Sequence, residues 1–257
     1  MITTKITNAL GLPIPELRGN LASMKYPAFV ELKADGEFTY IIFEQRDGKS
    51  NIVTINKYNK VRAMFPKLEI VKEELIRKGV KSCTMLAELY YGDGKRNALY
   101  ELLKNKTSHS LGLFIFDILD LDGVRLDGLP LVDRKEKLSE ILGGHAATVT
   151  MVHNKAETED CFKKAVLCGW EGVVVKSLSE PLRGGPCAWV KMKMKDQTDY
   201  VVSKVDPVQE RIEVLVPNPA AKIPNPIAIS VGCKAPMRYK RHINVGDIVT
   251  VEHQGVL

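Results

Sequence analysis

From Val30 to Asp35 apolar and polar side chains alternate, with Val30, Leu32 and Ala34 on one side of an extended chain and Glu31, Lys33 and Asp35 on the other. Asp35-Gly36 is a hairpin signal, and a second apolar run follows it at once. "QRDGKSN" (Gln45–Asn51) is another turn of the same kind. The period then changes. "FPKLEIVKEELIRKGV" predicts an amphipathic helix from near Pro66 to near Gly79. "CTMLAELYYGDG" and "LGLFIFDILDLDG" predict buried strands with acids at or near their ends. "LVDRKEKLSEILGG" predicts a helix with Asp133 near its start and Gly143 just past its end. "KAETEDCFKKAVLCG" predicts a third helix, and "WEGVVVKS" and "CAWVKMKMKD" return to strand. From Tyr200 short Val-rich strands are broken by "VPNPAAKIPNP" and helical periodicity disappears. The pattern predicts an α+β chain, with a mixed domain over residues 1–197 and a small all-β module over 198–257.

Composition adds little to that picture. Hydrophobic content of 45% with 26% charged residues is ordinary for a globular protein. No run is long and apolar enough to cross a membrane, and the first residues lack a signal-peptide core, which predicts an intracellular chain with no membrane partner. The five cysteines (Cys83, Cys161, Cys168, Cys187, Cys233) are scattered, and the five histidines show no metal-binding spacing. Free thiols and no protein-only transition-metal site are expected. Charge changes the picture more. The net charge of +6 is modest, but "KMKMKD" and "MRYKRH" concentrate it in the last third of the chain, as a polyanionic partner would require.

Five segments carry polar residues on otherwise apolar strands: "ELKADG", "LAEL" with Glu88, "FIFD" with Phe116, "EGVVVK" with Glu171 and Lys176, and "WVKMKMK" with Lys191 and Lys193. Each has an ordinary explanation beside the chemical one. Lys33 taken alone is a solvated lysine, Glu88 an edge-strand acid and Phe116 core. A row of lysines on one strand face either blunts an exposed edge or grips an anion. Arg134 reads as a helix-surface residue. Taken together the segments suggest chemistry on a phosphate: a lysine amine as nucleophile, positive charge beside it at Lys191 and Lys193, hard oxygen ligands at Glu171 and Glu88 for Mg²⁺, and an aromatic ring to stack on a base.

The order KxDG, an acid on a strand, "FDIL" then "LDG", "EGVVVKS" and a W-x-K-x-K strand resembles the covalent nucleotidyltransferases, and most closely the ATP-dependent DNA ligases. "LPLVDRKEKL" and "NVGDIVTVEHQGVL" also look like ligase sequence, so the resemblance runs from about Leu21 to the last residue. It implies antiparallel adenylation-domain sheets flanked by helices, followed by an OB-like barrel. It further implies ATP as AMP donor, Mg²⁺ as cofactor, and nicked duplex DNA as the partner of a monomer. Lys33 would attack the α-phosphate of ATP to give lysyl-AMP, which passes to the 5′-phosphate of a nick before the 3′-hydroxyl displaces it. Glu31 and Leu32 would flank the adenine side of that lysine, and Asp35 completes the motif. Glu88 matches the ribose-side acid, Phe116 the aromatic on adenine, and Glu171 the metal-side acid. Lys176, Lys191 and Lys193 match lysines near the phosphates, and Arg183 in "LRGGPCAW" matches a basic residue of the nucleic-acid face. The "MRYKRH" cluster, with Arg238 and Lys240, is either a solvated loop or a phosphate contact.

Two departures from the family pattern stand out. Phe38 occupies the place of a usual arginine, so that contact is either missing or supplied elsewhere, with Lys57 in "TINKYNK" as the candidate. The family's final basic motif has no counterpart before "HQGVL", which points to a truncated or minimal module. An RNA ligase, a capping-type nucleotidyltransferase and a non-catalytic nucleic-acid-binding module are the rival readings.

Overall fold

In chain order, the first strands are β1 (Leu17–Arg18), β2 (Ala28–Lys33), β3 (Glu37–Arg46), β4 (Lys49–Asn56) and β5 (Val61–Arg62), followed by helix α1 (Pro66–Arg77). Then come β6 (Ser82–Tyr91), β7 (Leu111–Leu121), β8 (Val124–Arg125), α2 (Leu131–Leu142), β9 (Val149–Val152) and α3 (Lys155–Leu167). The remaining strands are β10 (Gly172–Ser177), β11 (Trp189–Lys193), β12 (Asp196–Asp206), β13 (Arg211–Val216), β14 (Ile227–Gly232) and β15 (Ile248–His253). The structure is a computed structural model and describes residues 17–18, 21–62, 64–91, 111–182, 189–193, 196–206, 208, 211–216, 227–232 and 243–253. None of its described helices is long and apolar enough to cross a membrane.

Two compact units divide the chain, Met1–Lys193 and Met194–Leu257. The first holds a five-stranded sheet, ordered β1-β11-β10-β2-β9, and a six-stranded sheet, ordered β5-β4-β3-β6-β7-β8. Every pairing in them is antiparallel except β1 with β11. The arrangement is mostly antiparallel sheet with few helices.

Strand alternation sorts three cores. On the six-stranded sheet Ile41, Phe43, Met85, Ala87, Leu113 and Ile115 pack with Leu68, Val71 and Leu75 of α1 and with Leu138 and Ile141 of α2. Val30, Val173, Val175 and Val190 of the other sheet pack against Ala165 of α3. Tyr40, Leu86, Phe116, Leu119 and Trp189 take the opposite strand faces and fill the space between the sheets. Register shifts between Thr84 and Met85 and between Leu86 and Ala87 interrupt the alternation where β6 meets β7. They let Ile115 and Ile118 share one core while Phe116 and Leu119 share the other.

The expected turn at Gln45–Asn51 is a two-residue hairpin, with Arg46 opposite Lys49 and positive φ at Asp47 (50°) and Gly48 (73°). The hairpin expected at Asp35-Gly36 is not formed. β2 pairs with β10 and β9, whereas β3 pairs with β4 and β6. Both edges of β2 are taken, so the Asp35-Gly36 link crosses from one sheet to the other. Gly36 runs so close to β6 that a Cβ there would lie 2.1 Å from the Leu89 carbonyl oxygen.

The second unit is an antiparallel sheet ordered β14-β13-β12-β15, with Val202, Ile212 and Val214 in its core. Among the described residues it is open: β14 and β15 sit at opposite edges and do not pair, so the expected closed barrel is not present in them. "VPNPAAKIPNP" and "MRYKRH" lie outside the described residues.

Candidate active site

A cavity of about 300 Å³ opens in the first unit, walled by β2, β10 and β11 of one sheet and by β3, β6 and β7 of the other. Because Val30 and Leu32 pack on the α3 side of β2, Glu31 and Lys33 must face this cavity. Register then brings partners to them. Across β2, β10 and β11 one row reads Lys33, Gly172, Lys193 and the next reads Glu31, Val174, Lys191.

Glu171, just before β10, stands between the two lysines that flank Gly172. Its Oε2 accepts a hydrogen bond from Lys33 Nζ, and its Oε1 pairs with Lys193 Nζ. The three side chains are 13–19% exposed. Gly172 makes this possible, since its φ is 153° and a Cβ would lie 2.0 Å from the Met192 carbonyl oxygen. Any side chain at 172 would push β10 from β11 and take Glu171 with it.

The other end is drier. Glu31 Oε2 accepts from Lys176 Nζ at 2.6 Å, and Oε1 lies 2.5 Å from Lys135 Nζ of α2. Lys176 also sits over Trp189 at 3.9 Å and Phe116 at 4.5 Å from the ring centroids. Burial pushes the Lys176 ammonium down to about 8, against the opposing pull of Glu31. Phe116 meets Trp189 edge-on at 5.8 Å and lies 6.2 Å from Phe38. These rings, with Phe114 and Val174, give the cavity an apolar wall suited to a planar base.

At the mouth, Glu37 takes a bidentate contact from Arg62 and a 2.8 Å bond from Asn56 Nδ2. Asn56 Oδ1 accepts from the backbone N–H of Tyr58 and Lys60, both at 2.9 Å. This fixes the turn that brings Lys57 and Tyr58 to the cavity. Glu88 Oε1 accepts from Gly36 N at 3.1 Å, tying β6 to the crossover.

Of the residues singled out in the sequence, Glu31, Leu32, Lys33, Asp35, Glu88, Phe116, Lys176, Lys193 and Lys57 line this one cavity. Lys191 shares a strand face with Trp189 and Lys193 but not the cavity wall, and Glu171 reaches the cavity through its two lysines. Arg183, Arg238 and Lys240 lie outside the described residues. Lys176 stands not beside the Glu171 group, as a phosphate lysine would, but buried against Glu31 and the rings. No three His, Cys, Asp or Glu side chains converge among the described residues, so Glu171 and Glu88 do not make a metal cage by themselves.

Arg134 is a correction. It is fully buried, bidentate to Asp117 at 2.8 and 2.9 Å, and donates to the Leu129 and Glu180 carbonyls. Lys135 was missed. The signal was present, because Leu131, Arg134, Lys135, Leu138, Ile141 and Leu142 are the i, i+3, i+4, i+7, i+10 and i+11 positions of one helix face, and all are buried.

Residues 13–193 match the ATP dependent DNA ligase domain. A probable DNA ligase of Beutenbergia cavernae is 38% identical over 95 residues, 36% of this chain and 19% of that protein. A DNA ligase of Pyrobaculum calidifontis is 26% identical over 204 residues, 73% of this chain and 34% of its own length. The chain thus covers between about a fifth and a third of these two relatives. Among solved structures, one from a study of Lig E DNA ligases superposes with a TM-score of 0.68 at 15% identity, covering 95% of this chain and 93% of its own. The ligase domain of M. tuberculosis LigD gives 0.56 at 20% identity, covering 88% and 74%. With the family match spanning most of the chain and the fold agreeing, this protein belongs to the ATP-dependent DNA ligase domain family.

Proposed function

We propose that this chain seals nicks in duplex DNA at the expense of ATP, through a lysyl-AMP on Lys33. The observation that carries the reading is Lys33 held by Glu171, with Lys193 on the other carboxylate oxygen, at the polar end of an aromatic-walled cavity. The adenine of ATP would lie against Phe116 and Phe38, with its amino group toward Glu31. Its triphosphate would run toward Lys193 and Lys191. Lys33 Nζ would then attack the α-phosphorus, forming a P–N bond as the P–O bond to pyrophosphate breaks. Glu171, already in contact with Nζ, orients the amine and is in place to take its proton.

The Glu171 carboxylate, held between Lys33 and Lys193, is a hard oxygen donor of the kind Mg²⁺ takes together with a substrate's phosphates. Glu171 would hold it, and it would supply charge neutralisation at the phosphates. Glu88, whose carboxylate accepts from Gly36, suits a ribose hydroxyl. Lys57, Arg183, Arg238 and Lys240 are proposed contacts for nucleic-acid phosphates. The first unit would be the adenylation domain, and the second an OB-like module that contacts DNA.

A sealing assay on duplexes carrying one nick, with DNA or RNA at the 3′ side, tests this. The expected result is joining of the DNA nick that requires a 5′-phosphate and ATP. Failure to join any nick, or joining of RNA ends alone, would overturn it.

A further inference from the structure

Aromatic rings bridge the two sheets at both ends of the cavity. At the apolar end Phe116 of β7 meets Trp189 of β11. At the polar end Tyr90 of β6 meets Trp170, with 6.4 Å between ring centroids and 62° between ring planes. The first pair lines the cavity. Neither member of the second does, although Trp170 is the residue just before Glu171.

The Tyr90 ring has a prepared seat. Tyr90 stands opposite Gly112 of β7, and a Cβ at 112 would lie 2.4 Å from Tyr90 Cζ and 2.7 Å from both Cε atoms. The Gly112 backbone does not take a positive φ, so what the strand needs at this glycine is space, and the ring fills it. Trp170 is fixed from its own side. Gly169, with φ 85°, ends α3: its N–H donates to the Val166 carbonyl at 2.9 Å, and Trp170 N donates to the Ala165 carbonyl at 3.0 Å. These are the two bonds of a Schellman cap. The Trp170 side chain also packs against the core that holds Ala165. Glu171 is then the single residue between this capped tryptophan and Gly172, where the pairing of β10 with β2 and β11 begins.

We propose that Tyr90 is a positioning residue for Glu171: seated on Gly112, its ring braces Trp170 and so sets where the Glu171 carboxylate meets the Lys33 amine. Glu171 has no ladder bond of its own to hold it, so its place depends on the residues before and after it. Gly172 fixes one side within the five-stranded sheet. Tyr90 fixes the other from the six-stranded sheet, and thereby ties the spacing of the two sheets to the geometry of the reacting amine. The inference rests on the nucleotidyl-transfer reading above and extends it to a residue outside the cavity.

Self-nucleotidylation, read as adduct mass over time at several ATP concentrations, gives each variant a maximal rate and a half-saturating concentration. Tyr90→Leu should lower the maximal rate by about tenfold or more, because a small misplacement of a reacting group is costly, while half-saturation stays within about threefold of wild type. Tyr90→Phe, which keeps the ring, should restore most of the rate. Gly112→Ala displaces the ring without touching β2, β10 or β11. It should repeat the leucine effect, and it is read in place of that variant should the leucine protein fail to fold. Added to Glu171→Gln, Tyr90→Leu should slow the reaction by less than about twofold more, since no carboxylate is left to position. A full tenfold further loss in that background, a leucine variant as fast as wild type, or a phenylalanine variant as slow as the leucine one overturns the role of Tyr90 and leaves nucleotidyl transfer standing. A wild type that forms no adduct with ATP overturns the functional reading and this inference with it.

Discussion

A glutamate between two lysines stands beside each end of the cavity, and the two sets differ mainly in how much water reaches them. Lys33, Glu171 and Lys193 keep 13–19% of their side-chain surface, whereas Glu31, Lys176 and Lys135 keep 2–8%. Water reaches part of the first set, although Glu171 Oε1 itself is buried, so exchanging one partner for a phosphate costs less there than at the second set. At the second set a separated charge would be stranded, and the geometry is locked. Under the proposed function, the same three charges would serve as movable chemistry at one end and as fixed scaffolding at the other.

Lys33→Ala gives the largest expected effect. It should abolish the adenylyl adduct and the sealing of ordinary nicks, with no large loss of stability. Sealing by this variant with ATP would break the comparison, because the nucleophile would then lie elsewhere.

Glutamate replacements at the two ends should fail in different ways. Glu171→Ala should slow adduct formation by roughly a few hundredfold across a Mg²⁺ titration, as loss of preorganised transition-state electrostatics does. Its unfolding free energy should fall by less than that of the Glu31 variant, because Lys33 and Lys193 keep more contact with water. Glu31→Gln should instead cost on the order of 3–5 kcal/mol in denaturant unfolding, because it leaves two buried ammoniums without their anion. Equal stability losses in the two variants would contradict the assignment.

Lys176 supplies a pH signature of the dry end. Burial lowers its ammonium to about 8, against an ordinary value of 10.5, so the native state loses this proton first. Between those values the unfolded chain binds more protons, and stability rises with pH. The unfolding free energy of wild type minus that of Lys176→Met should climb by up to about 3 kcal/mol from pH 8 to pH 10.5. A flat difference would show that the buried lysine is better solvated than its surroundings imply.

The smallest effect belongs to the mouth. Lys57→Ala should weaken binding of nicked duplex modestly and reduce the slope of log affinity against log salt by about 1, the contribution of one phosphate contact. An unchanged slope would remove Lys57 from the nucleic-acid path.

How far the sequence could be read depended on whether a signal was local. The alternation around Lys33 told which side chains share a face, and the proline and glycine of "FPKLEIVKEELIRKG" marked the ends of α1 within a few residues. Asp35-Gly36 misled because a tight-turn dipeptide does not say whether the next strand pairs with the last or joins another sheet. Here the pairing of β2 with β10, far along the chain, decided it. Arg134 and Lys135 were hidden for a related reason. A charged residue on a helix is assigned to solvent unless its counter-ion is known, and Asp117 and Glu31 sit on strands far from them in sequence. Lys176 was placed at the phosphates by motif order alone, while strand parity with Val174 and packing under Trp189 put it beside Glu31 and the aromatic wall.

Identification of the nucleotide-bearing residue tests the central claim most directly. The protein is incubated with ATP and Mg²⁺, digested, and the modified peptide is sequenced by mass spectrometry. A single adenylyl group on Lys33, in the peptide preceding Asp35-Gly36, is the result the account predicts. An adenylyl group on Lys176, Lys191 or Lys193, or no covalent nucleotide under conditions where nicks are sealed, would contradict it.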